Sequence, residues 1–204
     1  MYKVLTQKLL PALLVAATLI IAGCMGSNVK TDYYTLRALT NTAPHIKPIA
    51  NLSDYTLALG PVSLPVFITS RAQIMAVEGS NKLVMIGNAR WAEPLDTNML
   101  LVLTDNLTYL LNLGNVIQYP WRASAVYDLK LEMTVFDFTA DKDTARLRAH
   151  YTITYIKTGK ILEREINLTS KVNAFTAAEV VSAQNWLLDE ASVEIAQSVA
   201  GIIH

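Results

Sequence analysis

Tyr127-Asp128-Leu129-Lys130-Leu131-Glu132-Met133-Thr134-Val135 sets Tyr, Leu, Leu, Met and Val on one side and Asp, Lys, Glu and Thr on the other. A period of two belongs to a strand with one dry and one wet face, because successive side chains point to opposite sides of a sheet. Leu147, Ala149, Tyr151, Ile153 and Tyr155 repeat the pattern against Arg146, Arg148, His150 and Thr152. Thr158-Gly159 reads as a tight turn into a third strand. Pairing Lys157 with Lys160 there sets Tyr155 opposite Leu162, Tyr151 opposite Ile166 and Ala149 opposite Leu168, all on the buried face. A shift by one residue would turn that whole set to water, so the hydrophobic pattern constrains the register. Antiparallel strands with one solvated side need a second layer to cover the other.

Helices supply that layer. Met99, Leu103, Leu107, Leu110 and Leu111 fall on one helical face, with Asp96 placed to cap its start and Gly114 placed just past its end. Thr176-Ala177-Ala178-Glu179 has the form of a capping box. It opens a long helix whose stripe is Val180, Leu187, Leu188, Ala191, Ile195, Val199 and Ile202. The opposite face, with Ser182, Gln184, Asn185, Asp189, Ser192, Glu194 and Gln197, is expected to be solvated. Shorter strands are expected at Tyr33 to Leu36, Tyr55 to Val62 and Val116 to Tyr119. Arg71 to Val77 and Lys82 to Ile86 flank Glu78-Gly79-Ser80-Asn81 as a hairpin. The expectation is α+β: a two-layer sandwich with a largely antiparallel sheet, a mixed one remaining open, and two amphipathic helices on its dry face. Residues 33–204 form one domain.

The N-terminus has a different character. Lys3 and Lys8 precede an apolar run from Leu9 to Ile21, broken by Pro11, and Ile21-Ala22-Gly23 leads to Cys24, the only cysteine. The layout is that of a secretory signal. With cysteine in that place it resembles a bacterial lipobox, which implies cleavage before Cys24 and a mature chain that starts there. The resemblance also implies a diacylglyceryl group on the thiol and an acyl chain on the amine. Residues 1–23 are then the removed signal peptide and 24–32 a lipidated tether. The apolar run is shorter than the roughly 20 residues a bilayer-spanning helix needs, and several acyl chains anchor a protein where one does not.

Composition narrows the partners. The leader holds two of the 17 basic residues and none of the 17 acidic ones, leaving 15 against 17 in the mature chain. No basic excess draws nucleic acid. With Cys24 used for lipid, no disulfide or thiolate metal site remains. His45, His150 and His204 lie in a loop, on a wet strand face and at the terminus, without metal-ligand spacing. Ser27-Asn28-Val29-Lys30 and Lys157-Thr158-Gly159 match motifs of penicillin-binding enzymes, but the serine lies on the tether and the second motif makes a turn. No catalytic residue, metal or cofactor is expected beyond the covalent lipid, and the chain is not expected to be an enzyme.

Leu64-Pro65-Val66-Phe67-Ile68 is a dense apolar run between strands. It reads either as a loop folded under the helices or as a patch that docks a partner. Trp121, within Tyr119-Pro120-Trp121, poses the same choice.

Three further segments carry a family likeness: Tyr33-Tyr34-Thr35-Leu36, Ser70-Arg71-Ala72-Gln73-Ile74 and Arg90-Trp91-Ala92-Glu93-Pro94-Leu95, the last followed by the first amphipathic helix. Together with the lipobox they resemble the PqiC-type (YmbA-like) lipoproteins, auxiliary subunits of ABC-linked intermembrane transport systems built around MCE-domain proteins. The resemblance implies an outer-membrane anchor on the periplasmic face and an MCE-domain partner that bridges the envelope and moves lipid. It also implies self-association and a contribution to envelope integrity. Met25, rather than aspartate, after the cysteine favours the outer membrane. Arg71, Arg90, Trp91, Glu93 and Pro94 carry over as the family signature, in a structural role: Trp91 packing ahead of the helix, Pro94 setting the approach to it, and Arg71 or Arg90 pairing with Glu93. The rival functions are a periplasmic lipid-binding carrier and a general envelope-assembly lipoprotein.

Overall fold

The chain runs β1 (Asp32–Tyr34), α1 (Leu39–Thr42), β2 (Thr56–Ser63), α2 (Val66–Thr69), β3 (Gln73–Glu78), β4 (Lys82–Trp91) and α3 (Leu95–Leu111). It continues through β5 (Asn115–Gln118), β6 (Leu129–Ala140), β7 (Thr144–Tyr155) and β8 (Lys160–Lys171) to α4 (Ala177–Ile203). This computed structural model describes residues 30–43 and 45–203. The expected signal peptide with Ile21, Ala22 and Gly23, the expected lipid site Cys24, and the expected tether to residue 29 lie outside the described residues, as do Pro44 and His204. From Thr31 onward the chain is one unit.

Eight strands make two mixed sheets. The larger has the order β5-β2-β6-β7-β8, and the smaller β1-β4-β3. β2 lies parallel to both β5 and β6, whereas β6, β7 and β8 are antiparallel. Leu129, Leu131, Met133 and Val135 are buried with Leu147, Ala149, Tyr151 and Ile153, which pair with them or stand one step along. Alternation would next send Phe138 to the wet face, but a bulge between Val135 and Asp137 restores it to the dry one, opposite Leu147. The extra residue, Phe136, stays half exposed.

The last hairpin is shifted by two residues from the expected register. Tyr155 pairs with Lys160, Ile153 with Leu162 and Ala149 with Ile166. Its loop therefore holds four residues, Ile156 to Gly159, with Gly159 at φ +70°. A shift of two preserves the face each side chain presents, so the hydrophobic pattern cannot distinguish the two pairings; loop length decides.

α3 and α4 cover the dry face, α3 over β2 and β5 and α4 over β7 and β8. Met99, Leu103, Leu107, Leu110 and Leu111 are fully buried, as are Val180, Leu187, Leu188, Ala191, Ile195 and Val199. Each large side chain so buried is worth about 2 kcal/mol. Two helix ends differ from expectation. Pro94, not Asp96, precedes α3, with no side-chain cap. At the other end Asn112, not Gly114, turns left-handed at φ 45°. The Asn112 N–H then reaches the Tyr109 carbonyl at 3.4 Å and the Leu113 N–H the Thr108 carbonyl at 3.2 Å. Gly114 is needed for space, because a Cβ there would run into the Ser53 carbonyl oxygen. Of the capping box, the Glu179 N–H does reach Thr176 Oγ1, at 3.3 Å.

The turn-rich stretch after β1 holds the short helix α1, whose Leu39 is fully buried. Backbone N–H groups of Ile49 and Leu52 reach the Leu110 and Leu111 carbonyls at 2.6 and 2.8 Å. They satisfy acceptors that a helix C-terminus leaves open.

Candidate functional site: a polar brace and two surface clefts

The face of α4 expected to be wet is in large part buried. Gln184, Asn185, Asp189 and Ser192 are at most 7% exposed. Gln184 donates to the Phe138 carbonyl of β6 at 3.2 Å, while Asn185, Asp189 and Ser192 meet α3 and the segment between β1 and Ile46. Asn98 Oδ1 accepts the Leu36 N–H and Asn106 Oδ1 the Leu39 N–H, each at 2.7 Å. Asn185 takes the Arg37 N–H on its oxygen at 3.2 Å and donates to the Arg37 carbonyl at 3.1 Å. Asn106 Nδ2 donates to Ser192 Oγ at 3.0 Å and to Asp189 Oδ1 at 3.4 Å, and Thr42 Oγ1 donates to Asp189 Oδ2. A segment with few regular hydrogen bonds is thus held by side chains from two helices, which satisfies its backbone groups inside the fold. Burial pushes the Asp189 carboxyl up to about 6; Glu190 adds to the rise, while the bonds from Thr42 and Asn106 oppose it.

Of the signature residues, Arg90 and Trp91 end β4, Glu93 and Pro94 lead into α3, and Arg71 precedes β3. Trp91 is buried at the end of β4, and its N–H donates to the Ala72 carbonyl at 2.7 Å. Arg90 pairs across the small sheet with Tyr33 on one side and Gln73 on the other. Its Nε is buried without a hydrogen-bond partner. Arg71 is exposed and Glu93 half-buried. The expected ion pair is absent: among the described residues neither Arg71 nor Arg90 meets Glu93 within salt-bridge distance.

The apolar run at Leu64–Ile68 divides. Ile68 is buried and Leu64 half-buried against the core, so these two do not belong to a docking surface. Proline sets the start of a single helical turn that throws Val66 and Phe67 outward, 76% and 45% exposed. Phe67, Leu83 of β4 and Phe136 of the β6 bulge line one cleft of about 610 Å³. Asp137, Arg146 and Arg148 form its polar wall. Arg146 is held by Asp141, whose carboxyl resists burial: the Asp143 N–H, the Arg146 guanidinium and the Thr144 N–H keep it below the usual range. Met85, cross-strand from Met75, extends the exposed apolar surface. Leu83, Met85 and Phe136 were not legible as surface residues. The bulge that turns Phe136 out has no sequence signal of its own.

Trp121 lies elsewhere. It is half-buried in an aromatic cluster, with ring centroids 5.3 Å from Tyr119 and 6.0 Å from Tyr127, and Lys130 Nζ is 5.9 Å from its ring. Its neighbours belong to the connection from β5 into β6, and none of them lines the Phe67 cleft.

A second cleft, of about 490 Å³, opens between the Tyr34–Ile46 segment and α4. Tyr34, Ile46, Val181 and Trp186 make its apolar walls, and Arg37, His45 and Glu190 are among its polar groups. Among the described residues no group of three or more His, Cys, Asp or Glu is placed to hold a metal ion, and no helix is long and apolar enough to cross a membrane.

The chain belongs to the family described as ABC-type transport auxiliary lipoprotein component, which it matches over residues 34–196. That family is a transport component, not an enzyme class. Two crystal structures share the fold. One, of an uncharacterized protein, is 20% identical, with 83% of this chain and 99% of that one covered and a TM-score of 0.66. The other, protein XCC0632 from Xanthomonas campestris, is 16% identical, with 82% and 92% covered and a TM-score of 0.61. A comparison with curated proteins finds no match.

Proposed function

We propose that this transport-associated lipoprotein is anchored by lipid on Cys24 to the periplasmic face of the outer membrane. There it docks an MCE-domain protein that bridges the envelope, as one subunit of an intermembrane lipid-transport system. The observation that carries the docking role is the exposure of Phe67, Leu83 and Phe136 in the lining of one cleft, with Val66 and Met85 exposed on the elements that supply Phe67 and Leu83. Large apolar side chains gathered on one surface mark interaction sites more often than scattered ones do, and aromatic anchors in a concave patch are where interface energy concentrates. The lipobox supports the anchor, and the family supports the transport role. Self-association around the partner and a contribution to envelope integrity belong to the same reading.

Two measurements test it. Intact-mass analysis of the native chain is expected to show a mature protein beginning at Cys24 and carrying acyl chains; a bare thiol would remove the anchor. Mild detergent extraction of envelopes is expected to recover an MCE-domain partner with the wild-type chain and much less with the Phe67→Ser, Leu83→Ser double variant. Equal recovery by both would move the docking site away from this cleft.

A further inference from the structure

The cleft between the Tyr34–Ile46 segment and α4 has no part in the docking surface, and its chemistry is mixed in a particular way. Trp186 stands 45% exposed on a helix most of whose other large apolar side chains are buried. With Tyr34, Ile46 and Val181 it forms an apolar wall. Arg37 makes no side-chain ion pair among the described residues, nor does Glu190, yet both line the same cleft. Asp189, also in the lining, turns its oxygens inward to Thr42 and Asn106, which leaves Glu190 as the outward-facing acid.

Position adds a second argument. The cleft begins at Tyr34, and six residues lie between Cys24 and Thr31, a reach of at most about 25 Å even when extended. A chain acylated at Cys24 therefore keeps this cleft close to the bilayer surface. Tyr and Trp favour that boundary, where the ring meets acyl chain and the polar edge meets water. A volume of about 490 Å³ lies within the range of small-molecule sites.

We propose that this cleft takes a phospholipid with a zwitterionic headgroup, its phosphate at Arg37, its ammonium at Glu190 and the start of an acyl chain against Trp186. Arg37 and Glu190, neither in a side-chain ion pair among the described residues, suit a headgroup that carries both charges better than a purely anionic one. The inference rests on the Cys24 anchor for the cleft's nearness to lipid, though not for its chemistry.

Short-chain phosphatidylethanolamine, kept below its micelle concentration, is titrated against the full chain carrying Cys24→Ser, with tryptophan emission as the readout. A saturable blue shift is expected. It should be lost in Trp186→Phe and weakened several-fold in Arg37→Glu, while short-chain phosphatidylglycerol shifts the emission less. Absence of any shift overturns the site, and equal response to both lipids overturns the headgroup assignment. A second arm places the lipidated wild-type chain in vesicles containing phosphatidylethanolamine brominated on its acyl chain. Trp186 emission is expected to be quenched; a chain that floats with the vesicles but is unquenched refutes the cleft and leaves the anchor standing. A chain that does not float refutes the anchor, while the soluble titration still decides the cleft.

Discussion

Two regions of this molecule invert the usual sorting of residues. Between α3 and α4, Asn98, Asn106, Asn185, Asp189 and Ser192 are buried. Beside the β3–β4 hairpin, Phe67, Leu83, Met85 and Phe136 are exposed. Buried polar groups in the first region have partners: the brace satisfies the backbone of a segment that has no sheet to join, and each bond there stabilises the fold. Exposed apolar groups in the second contribute less to the monomer, since about half of each side chain remains in water. Buried polar groups in the first region therefore hold the fold together, while the exposed apolar groups of the second leave its stability largely untouched.

The comparison can be broken first at the brace. Asn106→Ala removes the acceptor for the buried Leu39 N–H and the donor to Ser192. It is expected to cost roughly 3 kcal/mol, an unsatisfied buried group added to lost bonds, read from urea unfolding. An unchanged midpoint would mean that the segment is not held through Asn106. Gly114→Ala should cost roughly 2 kcal/mol, because the new methyl must displace the backbone at Ser53. A substitution without effect would show that the loop yields freely.

The Asp189 carboxyl sharpens the same point through pH. With a folded value of about 6 against 3.8 in the unfolded chain, the folded state binds the proton more tightly. Its destabilising effect is therefore absent below pH 3.8, grows between 3.8 and 6, and is complete above 6. Between pH 7 and pH 5 the wild-type chain should gain about 1.4 kcal/mol from this group, and Asp189→Asn should lose most of that gain in thermal melts. Asp141 acts in the opposite sense: its lowered value contributes stability that disappears only as the pH falls through that value. The smallest expected change in stability is at the cleft. Phe67→Ser should shift unfolding by less than about 0.5 kcal/mol, and a large loss would make Phe67 a core residue after all.

Much of the scaffold was legible because burial on one side leaves a period in the sequence. Leu129 to Val135, Leu147 to Tyr155 and the stripes of both helices lie where the pattern puts them. The brace was not legible. A helix face bearing Gln184, Asn185, Asp189 and Ser192 has the composition of a wet face, and the segment that covers it shows no periodicity. Only the fold brings Arg37 against Asn185, Thr42 against Asp189 and Asn106 against Ser192. At the cleft, Val66 and Phe67 were legible as a candidate surface and Ile68 and Trp121 were not separable from it. Which residues of an apolar run face out depends on one helical turn after Pro65, and Trp121 depends on aromatic neighbours assembled by the β5–β6 connection.

Site-specific photocrosslinking in intact envelopes tests the docking surface most directly, with the photoreactive residue placed at position 67 in one chain and at position 165, on the far edge strand β8, in another. A crosslinked product with an MCE-domain protein is expected from position 67 and little or none from 165. A product from position 165 alone, or none from 67 while both chains are lipidated and abundant, would contradict it.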